Sequence, residues 1–333
     1  MSRVLFDARW IGPHGIGRFA TEVSKRCGFT PLSIEGKPLD LIDPWRLRRA
    51  LRQNRPAHFF SPGFNAPLGR PCSFSLTVHD LIHLEVEAER SFAKSLYYDF
   101  VVKPALNNAA VVFTVSEYSR RRILDWSGIA SCKVVCVGNG VDSVFSPEGE
   151  RWQHPRPYLL YVGNQKPHKN VEGLVAAFAA SNLRDGFDVL LTGTLSDSVA
   201  QAIAANGLES RVRPLGLVAE AGLPALYRGA HAVVMPSRYE GFGLPLVEAM
   251  ASGTPVLSSN RTSLPEVGGD AVAYFDPDDL DSFVAGLNAL LDKDVCTHLR
   301  LAGLERSKQF SWDQVAAKVG GAISDVVSLE SKA

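Results

Sequence analysis

Short apolar runs alternate with helical patterns along the whole chain, and this alternation limits the fold more than any other feature of the sequence. The runs are continuous and rich in β-branched and aromatic residues, which is typical of strands buried on both faces. Such strands, separated by helices, predict parallel α/β sheets. The predicted strands are Val4–Phe6, His58–Phe60, Phe74–Val78, Val111–Val115, Val134–Val137, Tyr158–Val162, Val189–Thr192, Ala232–Met235, Pro255–Ser258 and Ala271–Phe275.

The series of predicted strands starts again at Tyr158, after a proline-rich stretch, SPEGERWQHPRP (Ser146–Pro157), that has the composition of a linker. A chain of 333 residues is long enough for roughly two domains of about 150 residues. We therefore expect two doubly wound Rossmann-like domains, over residues 1–150 and 151–311. Because ligands bind outside the carboxyl ends of the strands in such sheets, two facing edges would form a cleft.

Net charge is zero, but its distribution along the chain is uneven. Residues 1–150 hold 19 Lys and Arg against 15 Asp and Glu, whereas the remainder holds 16 against 20. Much of the basic surplus lies in DPWRLRRALRQNR (Asp43–Arg55) and SRRRILDW (Ser119–Trp126). Two interpretations stay open for such a helix: it touches anionic lipid or an anionic acceptor, or it is an ordinary solvated face. The chain as a whole is not basic, so no nucleic-acid partner is expected.

Composition also bears on location. No apolar run approaches the roughly 18 residues that span a bilayer, and MSRVLFDARW at the start does not resemble a signal peptide. A single CxxxC (Cys132 and Cys136) among five cysteines is typical of reduced thiols. We expect a cytoplasmic protein, and contact of its basic first domain with the inner face of the cell membrane is one of the two interpretations that stay open.

The segment SRYEGFGLPLVEAMASGTPV (Ser237–Val256) places one carboxylate before a glycine turn and another within the helix that follows. Pro245 suits the first turn of a helix, so the backbone N–H groups of Gly241–Leu244 would form a phosphate-binding helix N-terminus. Glu248 could accept hydrogen bonds from a ribose diol, and Glu240 could meet the other end of the ligand. The same glutamates are equally consistent with a turn residue and a carboxylate that favours the helix dipole.

A second candidate segment, YVGNQKPHKNVEGLVAAF (Tyr161–Phe178), joins a predicted strand to a helix through a loop with two lysines. Lys166 and Lys169 suit a diphosphate, both by charge and by the helix N-terminus behind them. Asn170 is predicted to cap that helix. Exposed loop lysines are common, so the loop alone does not identify a ligand.

Both segments resemble motifs of the retaining glycosyltransferases of family four, which have the GT-B fold. The shared pattern is YVG-x-x-x-P-x-K-N in the loop and S-x-x-EGFG-LPLVEAMA-x-G-TPV at the glycine turn. The resemblance continues through GPHGIGRFATEV (Gly12–Val23), LTVHDLIHL (Leu76–Leu84), VGNGVDSVF (Val137–Phe145) and FSWDQVAAKV (Phe310–Val319). It implies two Rossmann-like domains facing across a cleft, with a closing helix, about residues 312–333, packed back on the first domain.

The resemblance also implies a role for each matching residue. Glu240 would meet hydroxyls of the donor sugar, Glu248 would hold the ribose, and Lys169 would neutralise the diphosphate. His79 would contact the sugar and diphosphate from the first domain. The remaining donor-binding residues are Gly15 and Gly17 near the phosphates or acceptor, Gly216 and Leu217 along the base, and the backbone of Gly241, Phe242, Gly243 and Leu244.

One position departs from the family pattern. Many members have an arginine directly after the strand glycine, where this chain has Asn164. Lys166 is the candidate for the second positive charge near the diphosphate, and weaker stabilisation of the diphosphate is the alternative.

No essential metal or other cofactor is expected besides the nucleotide sugar, which is a co-substrate. His79, Asp80 and His83 lie on an undefined loop, and their spacing is weak evidence for a metal site. Asp276–Asp279 matches Asp-x-Asp formally, but it is better explained as the cap (Asp276), N1 proline and first-turn acids of a helix.

The activity that the resemblance implies is transfer of a sugar, with retained configuration, from a nucleotide diphosphate to a glycan or lipid-linked glycan. GDP-mannose is the first choice of donor, since VGNQKPHKN and GIGRF look most like mannosyl- or rhamnosyltransferases of bacterial polysaccharide or lipopolysaccharide assembly. A nucleotide-sugar 2-epimerase of the same fold and a nucleotide-binding module without catalysis remain alternatives. A nicotinamide dehydrogenase lacks support, because GPHGIG is GxxGxG rather than GxGxxG.

Overall fold

The structure is a computed structural model that describes residues 4–332. Its strands form two six-stranded sheets in which every pairing is parallel. The first sheet contains β1 (Val4–Phe6), β2 (Thr30–Pro31), β3 (His58–Ser61), β4 (Phe74–Thr77), β5 (Val111–Thr114) and β6 (Val134–Cys136). The second contains β7 (Tyr158–Tyr161), β8 (Asp188–Thr192), β9 (Val212–Gly216), β10 (Ala232–Met235), β11 (Val256–Ser259) and β12 (Ala273–Phe275).

Helices connect the strands in both halves. In the first half they are α1 (Gly15–Cys27), α2 (Asp43–Asn54), α3 (Ile82–Glu85), α4 (Phe92–Tyr97), α5 (Lys103–Asn108) and α6 (Glu117–Ser127). The second half continues with α7 (Val171–Ala180), α8 (Asp197–Ala205), α9 (Leu223–Gly229), α10 (Leu244–Ala251), α11 (Leu264–Gly268), α12 (Leu280–Ala289), α13 (Lys293–Ser307) and α14 (Trp312–Glu330). A π-helical stretch, Tyr98–Val102, joins α4 to α5.

The strand orders are β2-β1-β3-β4-β5-β6 and β12-β11-β10-β7-β8-β9. In both sheets the order reverses direction at the first strand of the half, as it does in doubly wound folds. The central strands are buried on both faces because helices cover each side, and the predicted fold class is confirmed.

Two strands were not predicted, and both lie at sheet edges. The two residues of β2 are exposed, and β9 carries exposed Arg213 and Pro214. An edge strand needs to bury fewer side chains and tolerates proline, so neither segment has the apolar run that marks a central strand. All ten predicted strands are present within two residues of their predicted limits.

The chain divides into two compact units, and the first takes segments from both ends of the chain. The first unit runs up to Gly140 and resumes at Ser311, and the second unit is Val141–Phe310. The linker-like stretch Ser146–Pro157 therefore belongs to the second unit, although the sequence placed the domain limit at 150. A contact with the second unit accompanies this assignment: the Nε of Arg228, on α9, donates to the Glu150 carbonyl at 2.7 Å and holds the stretch against α9.

The ends of each unit lie close together. In the second unit, the Val141 amide donates to the Phe310 carbonyl at 3.2 Å. In the first unit, Gly140 lies against α14 so closely that a Cβ atom on it would stand 2.3 Å from the Trp312 nitrogen.

Helix α14 packs on α1 within the first unit. Trp312 is 2% exposed, and its ring meets that of Phe19 at 6.4 Å. At the surface, Arg26 Nε donates to the Asp313 carboxylate at 2.6 Å. Among residues 4–332, no helix has the combination of length and apolar character that crossing a membrane requires.

Replacing Trp312 with alanine is expected to lower the free energy of unfolding of the first unit by about 3–5 kcal/mol, because it removes a buried indole and leaves a cavity. Leu329→Ala is the matched control on the same helix. Leu329 is 70% exposed, so its loss should change stability by no more than about 0.5 kcal/mol. Urea unfolding followed by tryptophan fluorescence measures both, since four of the five tryptophans, all except Trp152, lie in the first unit. Equal decreases in the free energy of unfolding of the two variants would contradict the conclusion that α14 packs on the first unit through Trp312.

Candidate functional site

The glycine turn of the second unit connects β10 to α10. Gly243 adopts a left-handed backbone with φ of 98°, and a Cβ atom on it would stand 2.7 Å from a methyl group of Leu264. Phe242 is buried, with its ring 5.8 Å from that of Phe310. Pro245 lies in the first turn of α10, as predicted, and the N-cap residue Gly243 makes no side-chain capping hydrogen bond.

Lys169 and Glu240, which lie 71 residues apart in the sequence, form an ion pair beside this turn. Lys169 Nζ donates to Glu240 Oε1 at 2.7 Å, and Ser237 Oγ donates to the same oxygen at 2.7 Å. The two charged side chains are 19% and 12% exposed, so solvent still reaches the pair. No donor in the described part of the chain bonds the other carboxylate oxygen, Oε2, which stays available to a ligand.

The loop after β11 holds the backbone of Glu240 in place. The Glu240 amide donates to Thr262 Oγ1 at 3.0 Å, and Ser263 Oγ donates to the Glu240 carbonyl at 2.9 Å. Thr262 has a left-handed φ of 55°, and in this conformation its hydroxyl meets the Glu240 amide. The sequence analysis missed both residues, although the polar run SSNRTS after a predicted strand was a signal for them.

Glu248 lies in α10 and is 4% exposed. The hydroxyl of Tyr227, on α9, donates to Glu248 Oε2 at 2.7 Å, and the Tyr227 carbonyl accepts from Thr254 Oγ1 at 2.7 Å. A hydrogen bond to a carboxylate is stronger than one between neutral groups, so Tyr227 fixes the orientation of Glu248. Nothing in the sequence marked Tyr227 as a partner of this carboxylate.

The loops after β7, β8 and β9 adjoin one another. The Gly193 amide donates to the Gly216 carbonyl at 2.8 Å, and a Cβ atom on Gly193 would stand 2.5 Å from the Gly163 carbonyl oxygen. Asn164 and Lys166 are both exposed on the first of these loops, and Leu217, on the third, is 88% exposed. The roles predicted for Asn164, Lys166, Gly216 and Leu217 stay predictions.

One of the two predicted helix caps is wrong. Asn170 is the N-cap residue of α7, as predicted, but its side chain makes no capping hydrogen bond, because its backbone is left-handed and its Oδ1 accepts from Arg238 Nη1 at 2.7 Å. The cap of α12 is Asp279 and not Asp276, since Asp279 Oδ1 accepts from the amides of Asp281 and Ser282 at 3.0 and 3.3 Å.

Two arginines form ion pairs with the acidic residues that precede α12. Asp276 accepts from Arg261 Nη2 at 2.7 Å, and Asp278 lies between Arg238 and Arg261 at 2.9 and 3.0 Å. The hydrogen bond from Arg238 is the main cause of a lowered pKa at Asp278. These carboxylates therefore serve an arginine network.

In the first unit, the glycine loop forms the start of α1. Gly15 is the first residue of the helix, and His14 Nδ1 accepts from the Gly17 amide at 2.9 Å. A Cβ atom on Gly17 would stand 2.1 Å from the Gly12 carbonyl oxygen, so only glycine fits there. The predicted contact of Gly15 and Gly17 with a ligand stays a prediction.

His79 follows β4, and its ring meets the Phe19 ring edge-on at 5.0 Å. Its Nε2 donates to the Pro62 carbonyl at 2.9 Å, which leaves Nδ1 as the acceptor of a neutral imidazole. Removal from water lowers the pKa of His79 to about 4, and the charge of His14 acts in the same direction. The ring is therefore neutral at pH 7.

His79, Asp80 and His83 do not gather into one site. Asp80 Oδ1 accepts from the Ile82 amide at 3.0 Å, and His83 Nδ1 lies 3.2 Å from Lys94 Nζ. Between residues 4 and 332, no three His, Cys, Asp or Glu side chains come together with the geometry of a metal site.

The first unit contains a buried ionic network that the sequence analysis did not predict. Arg9 bridges Asp7, at the end of β1, and Asp43, the first residue of α2, with both contacts at 2.6 Å. Asn65 Nδ2 donates to both carboxylates at 2.9 and 3.0 Å. Both carboxylates are fully buried, so the network fixes the start of α2 against the sheet.

The first unit also contains a cavity of about 400 Å³. Its lining includes Trp126 and an ion pair in which Arg122 Nε contacts Glu85 Oε1 at 2.6 Å.

Two family models match the chain, and together they cover residues 6–306. "Glycosyltransferase Family 4" matches residues 6–145, and "Glycosyl transferases group 1" matches residues 145–306. The chain is 33% identical, over 85% of its length and 77% of the relative's, to "O-antigen chain mannosyltransferase B" of Escherichia coli. It is 30% identical to "O-antigen chain mannosyltransferase RfbU" of Salmonella typhimurium, over 64% and 59% of the two lengths. It spans about a third of the Escherichia coli "Serotype-specific mannosyltransferase WbdA", at 29% identity and 33% of that protein's length.

Solved structures share the architecture at low sequence identity. HepE of Anabaena, in complex with UDP and glucose, has a TM-score of 0.78 at 16% identity, over 98% of this chain and all of that one. WaaG, "a glycosyltransferase involved in lipopolysaccharide biosynthesis", has a TM-score of 0.77 at 15% identity, over 96% and 99%. On these matches in sequence and architecture, the chain belongs to the family-four glycosyltransferases of GT-B fold and is a hexosyltransferase.

Proposed function

We propose that this chain is a retaining mannosyltransferase that moves mannose from GDP-mannose to a glycan or lipid-linked glycan in O-antigen or lipopolysaccharide assembly. The choice of mannose is supported by relatives that are named as O-antigen mannosyltransferases. Those relatives are transferases by name, which does not favour a nucleotide-sugar epimerase. One observation carries the assignment of the site: Lys169 and Glu240 meet beside the glycine turn, with Glu240 Oε2 unbonded by the described chain.

The diphosphate of the donor would bind between Lys169 and the start of α10. The ammonium of Lys169 has three donors, of which one goes to Glu240, so two remain for phosphate oxygens. The amides of Gly241–Leu244 would add the favourable end of the helix dipole. Both contributions become stronger as the departing diphosphate gains charge. They would therefore stabilise the transition state more than the ground state and lower the barrier to sugar transfer.

The sugar and ribose would be held by the two glutamates. Glu240 Oε2 would accept a hydrogen bond from a sugar hydroxyl, while Oε1 is anchored by Lys169 and Ser237. Glu248, oriented by Tyr227, would accept from the ribose diol. Because Thr262 and Ser263 fix the Glu240 backbone, this carboxylate would need little rearrangement when the donor binds.

The proposed reaction needs no covalent intermediate on the protein. The bond between C1 of the sugar and the diphosphate oxygen breaks, and the acceptor oxygen bonds to C1 on the same face. The acceptor hydroxyl gives its proton to the departing phosphate oxygen. Because the new bond forms on the face that the diphosphate leaves, the configuration at C1 is retained.

For the acceptor we propose a glycan, either free or lipid-linked. The cavity of about 400 Å³ in the first unit has the character of a sugar subsite, since Trp126 offers an aromatic ring and Arg122 and Glu85 offer charged hydrogen-bonding groups. A lipid-linked glycan would bring the basic first unit to a membrane surface.

Lys169→Ala is expected to lower kcat by about 100- to 1,000-fold, because it removes a preorganised cation from the developing charge of the diphosphate. GDP released from GDP-mannose in the presence of a mannose-terminated oligosaccharide measures turnover. Lys308→Ala is the control, since Lys308 is 70% exposed and pairs with the exposed Glu305. Near-normal turnover of the Lys169 variant, with an unchanged unfolding midpoint, would contradict the assignment.

The base of the donor can be tested by thermal unfolding with a panel of nucleotides. GDP and GDP-mannose at about 100 times Kd should stabilise the second unit by roughly 2.7 kcal/mol, which raises Tm by several degrees. UDP and UDP-glucose are the competitors in the panel, because HepE was solved with UDP. A larger shift with UDP than with GDP would overturn the choice of GDP-mannose.

A further inference from the structure

One residue of the loop after β10 bonds both neighbours of Lys169. Lys169 is the last residue of a short 3-10 turn, Pro167–Lys169, between β7 and α7. The Arg238 amide donates to the His168 carbonyl at 2.8 Å, and Arg238 Nη1 donates to Asn170 Oδ1 at 2.7 Å. Arg238 therefore bonds the residue before Lys169 through its backbone and the residue after it through its side chain.

Asn170 is a residue whose conformation depends on such a contact. Its backbone is left-handed, with φ of 54°, which is unfavourable for residues other than glycine, although asparagine tolerates it better than most. Its side chain is 3% exposed and enclosed, since a Cβ atom on Gly173 would stand 2.5 Å from Asn170 Oδ1 and Asn170 Nδ2 donates to the Pro277 carbonyl at 3.4 Å. The side chain of Asn170 thus fixes the direction in which the chain leaves Lys169.

The guanidinium of Arg238 is itself held in place by the chain after β12. Arg238 Nε donates to Asp278 Oδ1 at 2.9 Å, and Arg238 Nη2 donates to the Pro277 carbonyl at 3.4 Å. The other carboxylate oxygen of Asp278 accepts from Arg261 Nη2, in the loop after β11, at 3.0 Å. A guanidinium can make these bonds together because its donors are arranged in a rigid planar fork. Arg238 therefore connects the loops after β7, β10 and β12 at one edge of the second sheet.

Arg238 also stands two residues before Glu240, whose Oε1 accepts from Lys169 Nζ at 2.7 Å. The short segment that carries the carboxylate thus also holds the backbone from which the ammonium extends. The lysine side chain is long and flexible, so the place of its ammonium depends on the place of that backbone. A misplacement of about 1 Å in a reacting site can cost as much as 100-fold in rate. The geometry of the ion pair between Lys169 and Glu240 therefore depends on the two bonds that Arg238 makes.

From these contacts we infer that Arg238 is a positioning residue, which holds Lys169 in place beside Glu240 while its own guanidinium stays bonded to the protein. It acts on the reaction through Lys169 and does not itself touch the donor. The inference rests on the proposed function for the role of Lys169 at the diphosphate. It adds to that function a residue that determines where the ammonium of Lys169 lies.

A double-mutant cycle between Arg238 and Lys169 tests the inference with the full chain. Arg238→Gln is expected to lower kcat about 10- to 30-fold with GDP-mannose and a mannose-terminated oligosaccharide, because the ammonium of Lys169 is then misplaced. In a chain that already carries Lys169→Ala, the same change should lower kcat by less than about twofold, since no ammonium is left to misplace. Release of GDP during long incubations at high enzyme concentration measures the slow variants.

Asn170→Gly removes the same contact from the other side. Glycine adopts the left-handed backbone readily, so this change deletes the bond to Arg238 without adding strain. It should also lower kcat about 10- to 30-fold, and the double variant R238Q/N170G should be within about twofold of the slower single variant. Arg213→Gln is the matched control in the second unit, because Arg213 is 54% exposed and pairs at 3.2 Å with Asp188, the first residue of β8 and thus at the opposite edge of the sheet. Its kcat should stay within about twofold of wild type.

The cycle separates this inference from the proposed function. If Arg238→Gln lowers kcat as much in the Lys169→Ala chain as in the wild-type chain, the inference is overturned, because Arg238 then acts on the donor directly or on the folded fraction. Normal turnover of Asn170→Gly would overturn it as well. In both cases Lys169→Ala stays strongly impaired and the proposed function stands. Near-normal turnover of Lys169→Ala by itself would instead remove the proposed role of Lys169.

Discussion

The requirement that parallel strands be buried on both faces organises this protein. Helices must cover each face, so every strand has to be followed by a crossover, and every crossover begins at the carboxyl edge of the sheet. The loops that follow β7, β10 and β11 therefore all lie at one edge of the second sheet. Lys169, Glu240 and the Thr262–Ser263 pair all owe their proximity to this geometry.

The candidate site combines rigidity with unused bonding capacity. Glu240 is held through its amide, its carbonyl and one carboxylate oxygen, while the second oxygen has no donor within the described residues. Lys169 neutralises the carboxylate and still has two N–H groups to offer. A site built in this way can take up a ligand of mixed character, with hydroxyls on one side and anionic oxygens on the other, at little cost in reorganisation.

The sequence predicted what depends on local pattern and missed what depends on partners far along the chain. Central strands and the α10 start were predictable, because continuous apolar runs, a left-handed glycine and a proline act over a few residues. The edge strand β9 was not, since its exposed Arg213 and Pro214 carry no apolar signal. Asn170 has the composition of a cap, yet the guanidinium of Arg238, far along the chain, competes for its side chain. Likewise Tyr227 meets Glu248 only because α9 packs against α10, which no local pattern of the sequence encodes.

The hydrogen bond between Val141 and Phe310 has a topological consequence. The second unit begins and ends at one point, so it is an insertion into the first unit, whose own cut ends meet where Gly140 touches Trp312. Each unit thus possesses adjacent termini, the arrangement that tolerates excision and rejoining of a chain. The second unit could be exchanged between relatives by two nearby crossovers without redesigning either core, and such an exchange would require no change in how the first unit folds.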